Sequence, residues 1–183
     1  MELIISDACR GLVESAAEFL PDARWQRCVV HFYRNVFSHV PAATVRVVSH
    51  MLKAIHASED RDAARTKTIH VIAKLREMKL PAAAKLIEDS VEETFRYYAF
   101  PSEHWRSLRT NNMLERLMRE LRRRTRVVDC FPDGESALML VAARLRHVAG
   151  TKWGTRRYLD MEHLRDYHGE WIDLSQGLSP PTN

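Results

Sequence analysis

Glycine-rich phosphate loops are missing from this chain. Its six glycines are dispersed and form no G-x-G-x-x-G or G-x-x-x-x-G-K pattern, which argues against a nucleotide site of the Rossmann or P-loop kind. No nucleophile elbow is present either: Ser6 precedes Asp7 without a G-x-S-x-G context, so a hydrolase triad is unsupported. Cysteine is scarce as well. Cys9, Cys28 and Cys130 are odd in number and widely spaced, which argues against a disulfide framework and fits a reducing compartment. No run approaches the roughly 20 apolar residues of a membrane span, and Met1 opens onto Glu2 and a short apolar stretch instead of a basic n-region and an h-region. A cytoplasmic protein with no membrane partner is expected.

The chain has 183 residues, of which 45% are hydrophobic, enough for one domain with a sizeable core. The formal charge is only +4, so distribution is more informative than the total. Acids gather between Glu77 and Glu93 and bases between Arg106 and Arg126, with Arg122-Arg123-Arg124 unbroken. Such a basic face suits a polyanionic partner such as nucleic acid, although a charge run can also be a plain solvated face.

Leu3-Ile4-Ile5 reads as a strand that delivers Asp7 to its C-terminal end, and Cys9 to Phe19 reads as a helix. After Pro21-Asp22, the stretch Arg24 to His31 is aromatic and β-branched and reads as a second, parallel strand. From about Phe32 to Tyr98 the pattern is helical, with breaks at Pro41, Ser58-Glu59-Asp60 and Pro81. Its apolar stripes run through Val45, Val48, Met51, Leu52 and Ile55, through Ile69, Ile72, Ala73 and Leu75, and through Leu86, Ile87, Val91 and Phe95. Phe100-Pro101 is a hinge to a basic helix, and Phe131-Pro132-Asp133-Gly134 turns the chain into a last helix over about 135–148. The predicted class is α/β and mostly helical. A tail after Leu164 is expected to be poorly ordered.

In the basic helix, Leu114, Leu117, Met118 and Leu121 fall at i, i+3, i+4 and i+7 and predict a buried stripe, with Glu115, Arg119 and Arg122 together on one flank. A carboxylate among cations suits chemistry on a phosphate backbone, and an ordinary Glu115–Arg119 pair explains the same spacing. Asp7 at a strand exit and Glu115 on a later helix are the kind of carboxylates that hold divalent cations, for which hard oxygen ligands favour Mg²⁺ or Mn²⁺. Asp7 could equally cap the helix that follows it. Cys28 and His31 are spaced C-x-x-H, but a structural zinc site needs four ligands and no second pair lies at suitable spacing. On a strand these two side chains point to opposite faces, so they share a site only if the strand ends between them. Otherwise they are a buried thiol and a rim histidine. Trp25 and Trp105 are most simply core anchors.

Five ordered motifs, spread over roughly 5–158, resemble the Mutator family of insertion-sequence transposases. They are Ser6-Asp7-Ala8 with Gly11-Leu12; Trp25-Gln26-Arg27-Cys28-Val29-Val30-His31-Phe32 with Arg34-Asn35; Tyr98-Ala99-Phe100-Pro101 with His104-Trp105-Arg106; Thr110-Asn111 with Leu114-Glu115-Arg116; and Arg122 to Val128 with Phe131-Pro132. The resemblance implies a ribonuclease H-like fold in which two aspartates and a glutamate bind a divalent-metal pair, Mg²⁺ or Mn²⁺, for cleavage and joining at transposon ends. Asp7 then matches the second aspartate and Glu115 the glutamate. Cys28 and His31 match a cysteine–histidine signature beside the active site, and Arg116, Arg119, Arg122, Arg123, Arg124 and Arg126 are the implied DNA-binding residues. The implied division is 1–32 for a partial core, 33–98 for a helical insertion, 99–164 for the glutamate helix and C-terminal helix, and 165–183 for the tail. Implied partners are transposon-end and target DNA and a second copy or an intact transposase, in the cytoplasm and at the nucleoid.

Two departures from the family pattern stand out. The family's first aspartate and its N-terminal DNA-binding region have no counterpart here, so the chain reads as a C-terminal transposase fragment. Met118 also stands where the family usually has asparagine. DNA transposition is therefore the expected function of the intact protein. The alternative for this chain is an inactive DNA-binding or oligomerising remnant.

Overall fold

The computed structural model describes residues 2–128, 130–155 and 158–159. Strand β1 (Leu3–Ser6) lies parallel to β2 (Arg24–Arg27), in the register Leu3↔Arg24 to Ser6↔Arg27, with helix α1 (Arg10–Phe19) as the crossover. Among the described residues this is a two-stranded sheet, and the rest of the secondary structure is helical. Mostly helical α/β is thus the observed class.

The second strand is shorter than its β-branched composition suggests. The Cys28 N–H still donates to the Ser6 carbonyl at 2.7 Å, but β1 ends there and the ladder has no further partner. Helix α2 (Val29–Phe37) takes over, because Val29, Phe32 and Val36 at i, i+3 and i+7 give it one buried face. Val29, Val30 and His31 are therefore helical, not extended.

Helices α3 (Val45–His56), α4 (Arg61–Glu77) and α5 (Pro81–Ser90) follow, and α4 packs between α3 and α5. Their boundaries have local causes. Asp60 caps α4 by accepting the Ala63 N–H at 2.7 Å, and Pro81 sits in the first turn of α5, where a missing N–H costs nothing. Val48, Leu52, Ile55, Leu75, Ile87 and Phe95 lie at the centre of the main core. The predicted stripe on α4 is rotated: Ile69 is 67% exposed, and the inward face is Ala64, Thr68, Val71 and Leu75. Thr68 tolerates burial because its hydroxyl donates to the Ala64 carbonyl at 2.8 Å.

Two 3₁₀ turns, Val91–Thr94 and Arg96–Ala99, lead to a second apolar cluster of Tyr97, Phe100 and Leu108, against which Leu3, Ile5 and the half-buried Trp105 pack. Gln26 on β2 is fully buried there. Its Nε2 donates to the Leu108 carbonyl at 2.6 Å and its Oε1 accepts the Tyr97 N–H at 2.7 Å. A further 3₁₀ turn (Ser102–His104) and α6 (Trp105–Leu108) precede α7 (Asn112–Thr125) and α8 (Gly134–Ala149), which pack on each other. Asp133 caps α8 through the Ser136 N–H at 2.7 Å, and that bond holds its carboxyl below the usual range.

The buried stripe predicted on α7 does not form. No residue of α7 is buried; Leu114 is 57% and Met118 38% exposed, and Leu117 and Leu121 are only half covered. The reason is that α8 is the main element packed on α7 among the described residues, so much of its apolar side faces no protein. Phe19 on α1 and Leu138 and Met139 on α8 are exposed in the same way. The expected tail over 165–183 lies outside the described residues.

Two stability predictions follow from this core. Gln26→Leu leaves the Leu108 carbonyl and Tyr97 N–H buried without partners, and chemical denaturation is expected to show a loss of about 2–5 kcal/mol. His56, almost completely buried, has Nε2 at 2.8 Å from Thr94 Oγ1 and Nδ1 at 3.0 Å from the Tyr33 hydroxyl. Burial lowers its pKa from 6.5 to about 4, with the Arg109 charge acting in the same direction. The unfolded chain therefore binds more protons between these values. Stability is full above pH 6.5 and falls as pH drops towards 4, by about 2 kcal/mol between pH 7 and pH 5, and His56→Gln is expected to flatten that dependence.

Candidate nucleic-acid interface

The C-terminal ends of β1 and β2 meet where α2 begins. Asp7 follows Ser6, Ser6 is in register with Arg27, and Cys28 leads straight into α2. Asp7 does not cap α1. Cys9 is the N-cap residue, and among the described residues the exposed Asp7 carboxylate accepts its neighbour's N–H alone, from Ala8 at 2.7 Å to Oδ1. One carboxylate oxygen is thereby engaged locally, and the side chain stays in solvent at the strand exit, where open parallel sheets commonly bind ligands.

Because the strand ends at Arg27, Cys28 and His31 come three residues apart at the start of a helix. Cys28 is completely buried, whereas the half-buried His31 faces outward and lines a cleft of about 760 Å³ between α2 and α7. Its Nε2 lies 3.2 Å from Glu115 Oε1. This is ion-pair distance without hydrogen-bond alignment, so Glu115 Oε1 is a buried oxygen with no donor. Asn111 Oδ1, one turn earlier and lining the same cleft, is also buried without a donor. Glu115 thus faces His31, and no Glu115–Arg119 ion pair occurs.

The six arginines of the basic segment divide. Arg119, Arg122, Arg123 and Arg126 line the cleft, joined from α2 by Arg34. Arg116 instead lies over the Trp153 ring at 5.1 Å, and Arg124 is outside the cleft lining. Arg123 also reaches Glu120 at 3.1 Å, and Glu120 holds Arg144 of α8 at 2.6 Å, bonds that depress the Glu120 carboxyl pKa. No described acidic residue pairs with Arg119, Arg122, Arg124 or Arg126. The acidic region differs: Arg61 and Arg65 reach Glu92 at 2.7 and 2.6 Å, Arg76 reaches Glu88 and Arg27 reaches Glu93. Burial pushes the Glu92 carboxyl up, but the bonds from Arg65 and Arg61 outweigh it. Excess positive charge is concentrated at the α7 cleft.

Arg34 and Asn111 are cleft residues that sequence spacing alone does not single out. A helical reading from Val29 would have placed Arg34 one turn beyond His31, and Asn111 is one turn before Glu115. Asp7 does not line the cleft, and among the described residues no three His, Cys, Asp or Glu side chains are grouped to hold a metal ion. Cys9 and Cys130 are exposed while Cys28 is buried. A thiol reagent is therefore expected to modify two cysteines quickly in the native protein and the third only on unfolding.

The geometry can be set beside known proteins. The model of the family described as "Transposase, Mutator family" matches residues 1–154. The transposase for insertion sequence element ISRM5 of Rhizobium meliloti (strain 1021) is 35% identical over 167 residues, covering 91% of this chain and 42% of that protein. The transposase for IS1081 of Mycobacterium tuberculosis is 37% identical over 162 residues, covering 88% and 39%. That for IS256 in transposon Tn4001 of Staphylococcus aureus is 32% identical over 176 residues, covering 96% and 40%. The chain spans about two fifths of the length of these relatives. With a family match over most of its length, the chain belongs to the Mutator family of transposases.

Proposed function

We propose that this chain contributes the second aspartate, the glutamate and a DNA-binding cleft to a ribonuclease H-like transposase core that cleaves and joins DNA at transposon ends. The observation that carries the reading is the cleft itself: a carboxylate oxygen without a donor, set among Arg34, Arg119, Arg122 and Arg126, none of which pairs with a described acidic residue. In the proposed division, residues 1–32 and 99–164 belong to the core and 33–98 form the inserted helical unit.

Glu115 and Asn111 offer oxygens suited to a hard divalent cation, while among the described residues no group of three His, Cys, Asp or Glu completes the set. Buried oxygens without donors, on Glu115 and Asn111, are acceptor sites that a cation would satisfy. Asp7 and Glu115 would hold Mg²⁺ or Mn²⁺, which when bound stabilises negative charge on the oxygens of an in-line phosphoryl transfer. His31 Nε2, 3.2 Å from Glu115 Oε1, flanks the carboxylate from the α2 side. Arg34, Arg119, Arg122 and Arg126 hold backbone phosphates, and Arg116 and Arg124 add to the surrounding positive field. Completely buried Cys28, the N-cap residue of α2, anchors the start of that helix.

A second reading, DNA binding without cleavage, draws on the five arginines that line the cleft among the described residues of this chain. Nicking of transposon-end DNA with Mn²⁺, by this chain supplied together with the first-aspartate segment of a Mutator-family transposase, separates the two. The catalytic reading expects Asp7→Asn and Glu115→Gln each to reduce nicking about 100-fold or more, the upper end of what losing even an outer-shell partner costs. DNA affinity should change little. Nicking that survives both substitutions overturns this reading, and binding without nicking supports the second. In either case Arg119→Ala with Arg122→Ala should reduce the log–log salt slope of binding by about 1.8, at about 0.9 per phosphate.

A further inference from the structure

A second cleft, of about 690 Å³, opens on the other side of the α7 N-terminus. Lys53 of α3, Arg106 of α6 and Arg109 line it, and no described acidic residue does. None of the three cations has an ion pair with a described carboxylate. Lys53 and Arg106 are exposed. Arg109 is half-buried: its guanidinium lies over the Tyr97 ring at 4.9 Å, and its Nε is buried with no hydrogen-bond partner. A guanidinium held among neutral aromatic groups is ordinarily matched by an anion. Here the open side of that charge is the cleft.

The two clefts alternate along one short segment. Thr110 and Asn112 line the second, while Asn111 between them lines the first. At the start of α2, Val29 and Tyr33 line the second and His31 and Arg34 the first. Their cations therefore flank the same helix ends from opposite sides.

We infer that the Lys53–Arg106–Arg109 cleft is a second phosphate-binding track, which takes backbone phosphodiesters of the same DNA beyond those held at the α7 arginines. The inference rests on the DNA-binding reading above. Lys53 and Arg106 act as point contacts to non-bridging phosphate oxygens. Arg109, fixed by its stack on Tyr97, presents its donors with little orientational freedom to lose.

The test is the salt dependence of duplex DNA binding by the 183-residue chain. It compares wild type, Lys53→Ala/Arg106→Ala, Arg119→Ala/Arg122→Ala and the four-fold combination. Thermal unfolding checks each fold, and Lys53→Gln/Arg106→Gln serves as a second variant of the new track. Each pair is expected to lower the slope by up to about 1.8, and the combination by the sum. An unchanged slope and affinity for both Lys53/Arg106 variants, with weakened binding for Arg119/Arg122, overturns the second track and leaves the first cleft standing. Weakening by Lys53/Arg106 alone supports the track and removes the α7 cleft from DNA binding. No effect of either pair overturns both.

Discussion

Gln26 is the polar joint on which the arrangement depends. Three segments distant in sequence meet at its amide: the second strand, the 3₁₀ turn bearing Tyr97 and the end of α6 at Leu108. The Val29 N–H donates to the Arg109 carbonyl at 3.0 Å and extends the same joint, three residues beyond Gln26 on one side and one beyond Leu108 on the other. Because Arg109 is followed almost at once by α7, the orientation of Glu115 relative to His31 is inherited from these bonds. A buried amide satisfied at both ends specifies one docking geometry, which a purely apolar contact of the same area would not do.

Charge is handled in two ways within one chain. In the helical segment between α2 and the 3₁₀ turns, acids and bases are matched locally, so Glu92 and its two arginines form a closed set. Around α7 the matching is incomplete: Glu120 holds Arg123 and Arg144, but the other cations that line two clefts sharing a helix end pair with no described carboxylate. Self-repulsion among arginines on one helix is unfavourable for folding, and a bound polyanion relieves it. Unpaired charge placed this way suits a surface that functions only when covered.

Much of this was legible in the residues. Alternating apolar and punctuating residues located β1, α1 and the breaks at Pro41, Asp60 and Pro81, because caps and proline act locally. The shared flank of Glu115, Arg119 and Arg122 was also legible, and all three line the α7 cleft. What escaped was decided by distant partners. The strand from Arg24 ends early because β1 offers no further ladder, which the composition of Val29-Val30 cannot reveal. Ile69 lost to Thr68 on α4 because a hydroxyl can return its hydrogen bond to its own helix. The Leu114–Leu121 stripe has the right period for burial, but periodicity states which residues share a face and not whether anything covers that face.

The uncovered stripe has a consequence for cooperativity. With Val148 the one buried residue among those of α7 and α8, these helices are secured to each other mainly by partly covered side chains and the Glu120–Arg144 contact. The α3–α5 core is instead closed by a continuous apolar cluster. Two foldons of unequal strength result. Amide protons of α7 and α8 are expected to exchange through local opening well below the free energy of global unfolding, with the basic helix detaching and re-docking while the helical core stays intact.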